Sequence, residues 1–154
     1  MSLISKVVVA LIMLVGVQVQ AEDICKKEQA QEAVEKMCAE IEKNDSAKAI
    51  EALKKFRYCG SNYVWVQDSD IKMVVHPTRP KLDGSDLKLE MDNNGNGSKA
   101  LFVEFDKMAR KNKNGGWVDY LWPKPGAENA TPKTSFVKLC KGDKKWIAGS
   151  GIWK

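Results

Sequence analysis

The sequence predicts an α+β domain in which five mainly antiparallel strands form one sheet, with N-terminal helices and one further helix packed on one of its faces. Three observations predict it. Apolar residues recur at helical spacing as far as Phe56, the period changes to two from Asn62 onward, and helical spacing returns once, between Lys99 and Asn112. The 154 residues are 44% hydrophobic and 29% charged, which is one domain's length and a globular composition, neither disordered nor fibrous. The net charge of +5 is modest and gives no basis for a nucleic-acid partner.

Residues 1–21 are expected to be a cleaved export signal. Lys6 precedes an uninterrupted apolar run over residues 7–17, and Val19-Gln20-Ala21 offers small residues to a signal peptidase. That run has 11 residues, where a membrane-spanning helix needs about 20. Glu22-Asp23-Ile24 before Cys25 lacks a lipoprotein cleavage site, and no second long apolar run follows. The expected product is a periplasmic or secreted soluble protein without a transmembrane anchor, beginning at Glu22.

A helical segment is expected over residues 22–58. Ala30, Ala33, Val34, Met37, Cys38 and Ile41 mark one face of a helix over residues 23–43. Asn44-Asp45-Ser46 breaks and recaps the chain, and a second helix runs to about residue 58 with Ala47, Ile50, Leu53 and Phe56 inward. Two strands, residues 63–70 and 71–77, then meet at Asp68-Ser69-Asp70, and Pro77, Pro80 and the loop at 82–86 leave the sheet. A third helix over residues 99–112 carries Leu101, Phe105 and Met108 inward until Asn114-Gly115-Gly116 stops it. Strands at 116–123, 133–140 and 145–153 complete the domain, with turns at 123–132 and at Gly142-Asp143.

Cys25, Cys38, Cys59 and Cys140 are an even set, which in an oxidising compartment reads as two disulfides. Three pairings are open. A helical hairpin with Cys25 and Cys59 at its open ends would join those two and leave Cys38 with Cys140. There is one histidine, His76, and no Cys-x-x-Cys, so zinc, haem and thioredoxin-like chemistry have no support. Asp92, Asn94, Asn96 and Gly97 imitate the start of an EF-hand loop, but the twelfth position is Val103, with Glu104 one residue late. A turn before the third helix is the expectation there. No nucleophile elbow or phosphate loop is present, since Gly149-Ser150-Gly151 has the wrong spacing. Neither an enzyme nor a bound cofactor is expected.

The ordered set FRYCGSNYVWVQDSD, MVVHPTRPKLDGSDL, GGWVDYLWPKPG, PKTSFVKL and WIAGSGIW resembles the single-Cache domain, the extracellular PAS-like sensor module of bacterial chemoreceptors and histidine kinases. The resemblance runs from Phe56 to the end, so residues 59–154 are expected to be the sensor domain. It implies a PAS-like sheet with a pocket between one face and the helix and loops covering it, and ligands such as acetate, propionate or pyruvate. The matching segments supply Arg57, His76 and Lys133 as the positive or hydrogen-bonding cage, beside Tyr63, Trp65, Trp117, Tyr120 and Trp122. Each has a structural alternative: Arg57 as a helix cap, His76 as a turn residue, Lys133 facing solvent, the aromatic residues as core. Gly149 and Gly151 are expected to permit close backbone approach.

Three departures stand out. Phe136 lies where the family usually has Tyr, the chain stops at Lys154 where a receptor would continue into a membrane helix, and the four cysteines suit a domain standing alone. The functional expectation is an exported domain that binds a small organic acid for signal transduction or chemotaxis, with a membrane chemoreceptor or sensor kinase as a partner. The alternative is a ligand-independent interaction module of the cell envelope, its basic cluster at Lys107, Arg110, Lys111 and Lys113.

Overall fold

The structure, a computed structural model, describes residues 25–92 and 99–154. The expected export signal therefore lies outside the described residues, as do Asn94, Asn96 and Gly97 of the calcium-loop imitation. Six apolar residues three or four apart bury one side of α1 (Lys27–Lys43), the same six that the sequence marks. The helix opens where the backbone N–H of Lys26 donates to Gln29 Oε1 at 2.9 Å. Asp45 caps α2 (Ser46–Lys55) by accepting from the Lys48 N–H at 2.9 Å. This helix ends earlier than expected, because Phe56 is already extended and Tyr58 is bridged to Asn62. Its buried residues are Ala49 and Leu53, four apart, whereas Ala47 sits two residues off that stripe and is exposed.

Strands β1 (Trp65–Gln67) and β2 (Met73–Val75) are shorter than expected. Asp68 closes the hairpin by accepting from the N–H groups of Asp70 and Lys72, both at 2.9 Å. Beyond β2 the chain turns off at His76-Pro77 into a short 3-10 turn at Pro80–Leu82. Helix α3 (Leu101–Lys111) and β3 (Gly116–Pro123) follow, close to the expected bounds. β4 (Ala130–Leu139) begins three residues before Lys133, taking Pro132 into the strand opposite Leu121. β5 (Ile147–Trp153) ends the fold.

The sheet runs β2-β1-β5-β4-β3 and every neighbouring pair is antiparallel. The expectation that all helices share one face is corrected. α1 covers one face, packing Val34 and Ile41 with Val64, Val66, Phe136 and Ala148, while α3 packs Phe102 and Phe105 with Trp65, Tyr120 and Trp122 on the other. The physical reason lies in the strands: residues 133–137 of β4 and all of β1 are buried in succession, so apolar side chains leave both faces and both need cover.

Two disulfides tie this together, Cys25–Cys59 and Cys38–Cys140, as the hairpin arrangement suggested. They close loops with sequence separations of 34 and 102. By loop-closure entropy they restrict the unfolded chain by about 4 and about 5 kcal/mol. The second pins α1 to the end of β4.

Candidate ligand-binding site

The α3 face of the sheet carries a chamber whose walls follow from strand parity. Tyr63 and Trp65, two apart, enter from β1 and its lead-in, and Tyr120 and Trp122 enter from β3. His76 enters at the end of β2, and Phe102 and Phe105, one helical turn apart, descend from α3. Gly149 on β5 lies directly opposite Trp65, and a Cβ there would collide with the indole, so the glycine is what lets Trp65 lie flat on the sheet. The rings pack edge to face and tilted: Trp65 to Phe105 at 4.8 Å and to Phe102 at 5.5 Å, Phe105 to Tyr120 at 5.1 Å, Phe102 to Trp122 at 6.1 Å. They fill the chamber, leaving about 0 Å³ for a body the size of water. Gln67 fixes α3 over it by donating from Nε2 to the Phe102 carbonyl at 3.0 Å.

One end of the chamber is polar and positive. Lys133, 2% exposed, stands on β4 between Tyr120 of β3 and Trp153 of β5. Its Nζ lies 3.9 Å from the Trp153 ring centroid, 4.9 Å from that of Tyr63 and 3.5 Å from the Tyr63 hydroxyl. His76 Nε2 is 3.4 Å from the same hydroxyl, and its Nδ1 is 3.5 Å from Thr78 Oγ1. These contacts are longer than the usual range of about 2.7–3.2 Å, so the groups face one another without saturating one another. The Arg79 guanidinium caps the assembly 4.8 Å above the Trp122 ring. Asp83 holds the turn by accepting from the His76 backbone N–H at 2.7 Å.

Burial sets the protonation states. It pushes the His76 imidazole down to about 3, with the charges of Lys133 and Arg79 adding to the effect, so this ring is neutral. Burial, then Arg79, lowers Lys133 to about 7. Burial raises the phenols of Tyr63 and Tyr120, which remain neutral donors, and Tyr120 is spent on Ser135 at 2.8 Å. No carboxylate forms an ion pair with Lys133 among the described residues. A neutral donor pair, an unpaired amine and a guanidinium at the rim of an apolar chamber suit a small anion with a short apolar tail.

Of the eight residues singled out from sequence, Tyr63, Trp65, His76, Tyr120, Trp122 and Lys133 come together here. Arg57 and Trp117 do not. Arg57 is exposed and donates from Nη1 to the carbonyls of Lys54 at 2.9 Å and Phe56 at 2.7 Å, the helix-capping alternative, while its Nη2 reaches the Pro77 carbonyl at 3.4 Å at the outer edge of the His76 turn. Trp117 has the opposite strand parity to Tyr120 and Trp122, so it points to the α1 face, 5.4 Å from Phe136 and under Lys27. Sequence reasoning missed Arg79, Phe102 and Trp153. Arg79 follows His76 by three in His-Pro-Thr-Arg, and Trp153 shares the parity of Gly149 and Gly151 on β5.

A family model of the Cache domain matches residues 10–154. The methyl-accepting chemotaxis protein McpP of Pseudomonas putida is 40% identical over 105 residues, which is 68% of this chain and 18% of that protein's length. A solved periplasmic sensor domain of a chemotaxis protein is 44% identical with a TM-score of 0.65, over 82% of this chain and 88% of that one. A Cache chemosensory domain solved to explain carboxylic acid recognition is 32% identical with a TM-score of 0.66, over 82% of this chain and 86% of its own. A methyl-accepting chemotaxis protein of Vibrio parahaemolyticus, 22% identical with a TM-score of 0.64, over 82% of this chain and 82% of its own, shares the fold. The family match takes in every helix and strand described above, and the chain therefore belongs to the Cache domain family of PAS-like sensor domains.

Proposed function

We propose that this chain is an exported sensor domain that binds a short-chain carboxylate noncovalently between its sheet and α3, and that the bound state is read by a membrane chemoreceptor or sensor kinase in chemotaxis or signal transduction. The observation that carries the reading is Lys133, a lysine 2% exposed with no acidic partner among the described residues, facing Tyr63 and sharing its chamber with Arg79 and His76. A buried amine so placed is costly to the fold and is best explained by a ligand that completes it. The solved relative that recognises a carboxylic acid supports the class of ligand. The apolar run at residues 7–17 supports export, and no described helix is long and apolar enough to cross a membrane.

Because the rings fill the chamber, a ligand enters only as aromatic side chains on α3 and β3 give way, and that displacement is the event a partner would sense. The test is a thermal-shift and calorimetric screen of the oxidised protein with acetate, propionate, butyrate and the matching amines. At least one acid is expected to raise the melting temperature while the amines do nothing. Lys133→Met is expected to abolish the acid's effect. An acid series that leaves both heat and melting temperature unchanged removes the reading.

The filled chamber also favours a second reading, a ligand-independent interaction module. Its surface would be the groove of about 350 Å³ between α3 and β3, where Lys99, Lys107 and Lys111 flank Trp117. A stoichiometric envelope partner recovered without any small molecule would support it.

A further inference from the structure

The Lys133 amine is surrounded on all sides by groups that offer it no negative charge. Tyr63 faces it from the lead-in to β1, and Trp153 faces it from β5. The segment after β2 brings neutral His76 and cationic Arg79. Tyr120 lies opposite it on β3, and Ser135, two along its own strand, is engaged with Tyr120. α3 turns Phe102 and Phe105 toward the chamber, and its Glu104 pairs outward with Lys107 at 2.9 Å. The carboxylates of the neighbouring segments bond elsewhere: Asp83 to the His76 backbone, Asp92 through Oδ1 to the Lys99 backbone at 3.0 Å with its buried Oδ2 unpartnered, and Asp119 to Lys154 at 3.1 Å. An ammonium here is shut off from bulk solvent and has no counter-ion among the described residues, and it has a guanidinium of the same sign for company.

An incoming carboxylate reverses that balance. We propose that the site takes up its carboxylate together with one proton, the Lys133 amine being the proton acceptor, so that the ligand is captured as an anion plus H⁺ and the domain reads acidity and ligand together. The inference rests on the carboxylate reading above. No covalent bond to the ligand forms: amine, proton and carboxylate become an ammonium–carboxylate pair, and the net charge of the chamber is unchanged by binding. The unliganded amine already sits near 7 through burial and Arg79, and an adjacent carboxylate raises it. Affinity that depends on the ammonium is fully present below the free-state value and is lost as pH rises through it. Affinity is therefore expected to fall about tenfold from pH 6 to pH 8, and about a further tenfold to pH 9.

The test is calorimetry of the oxidised protein with acetate and propionate, at pH 6 and pH 8, in phosphate and in Tris, whose ionisation heats differ. The dependence of heat on buffer counts protons taken up. About 0.9 proton per ligand is expected at pH 8 and about 0.1 at pH 6. Binding at pH 8 with no buffer-dependent heat overturns the proton coupling and leaves the carboxylate reading standing. No binding of either acid at either pH overturns both. Lys133→Arg, which cannot lose its charge, is expected to bind with the same affinity at pH 6 and pH 8, and a tenfold loss in that variant also overturns the proposal. The wild-type proton count decides the matter if that variant fails to fold.

Discussion

Replacing Lys133 by methionine is expected to stabilise the protein while destroying its site. Lys133 titrates near 7 in the folded chain against 10.5 for an ordinary lysine. That difference corresponds to about 5 kcal/mol of preference for the neutral amine in the fold. The unfolded chain binds more protons between these two values, so wild-type stability rises with pH from about 7 to about 10.5 and carries the full penalty below 7. Methionine has a similar length, fills the space between the Tyr63 and Trp153 rings and needs no counter-ion. It forfeits the amine's contacts with those rings, roughly 1–2 kcal/mol together. The net expectation is a gain of about 3 kcal/mol at pH 6, or roughly 6–12 °C in melting temperature for a chain of this size. The gain should shrink toward zero by about pH 10, where the folded amine is neutral and the unfolded one is losing its charge. Thermal unfolding of both proteins by circular dichroism from pH 6 to pH 10 measures this. A variant that melts below wild type at pH 6, or a difference that does not change with pH, would refute the claim that Lys133 is an uncompensated buried charge.

Two further outcomes follow from packing. Gly149→Ala has ordinary extended backbone and fails only by collision with Trp65, which Phe102 and Phe105 prevent from retreating; it should cost about 1–3 kcal/mol and weaken acid binding by displacing the indole. Urea unfolding and the near-ultraviolet signal of the tryptophans report the two effects, and an unchanged midpoint and spectrum would sink the argument. Paired serine replacement of Cys38 and Cys140 should cost about 5 kcal/mol, more than replacement of Cys25 and Cys59 at about 4 kcal/mol, because it reopens the longer loop; the reverse order in urea midpoints would contradict it.

Much of the fold was legible because periodicity is local. The six buried positions of α1 and the bounds of β3 could be read from the chain directly, since neither depends on what packs against them. What misled was reasoning that ignored parity or burial on two faces. Trp117 and Tyr120 share β3 at a separation of three, and an odd separation places two strand residues on opposite faces. Adjacent apolar residues on one strand, Trp65 and Val66 on β1 and Phe136 and Val137 on β4, already required cover on both sides, which helices on one face do not supply. The site was harder, for a different reason. Arg79 and Trp153 become site residues only when the turn after β2 and the end of β5 meet around Lys133, and that meeting is a tertiary fact.

The division of labour between the two sheet faces follows from these energetics. On the α1 side, apolar packing and the Cys38–Cys140 bridge hold the sheet, with no unpaired charge in that core among the described residues. On the α3 side the fold tolerates a buried amine with a guanidinium of the same sign in its surroundings, a cost that packing alone does not recover. Such costs persist in a structure when the remainder is stable enough to carry them. A ligand that supplies the missing charge binds the native state alone and adds its binding free energy to stability. The carboxylate would then do two things in one step, cancelling the penalty at Lys133 and spreading Phe102, Phe105 or Trp122 from their packed positions. Phe102 and Phe105 belong to α3, and the Gln67 amide ties the Phe102 carbonyl to β1, so displacement of those rings would load the seam between α3 and the sheet.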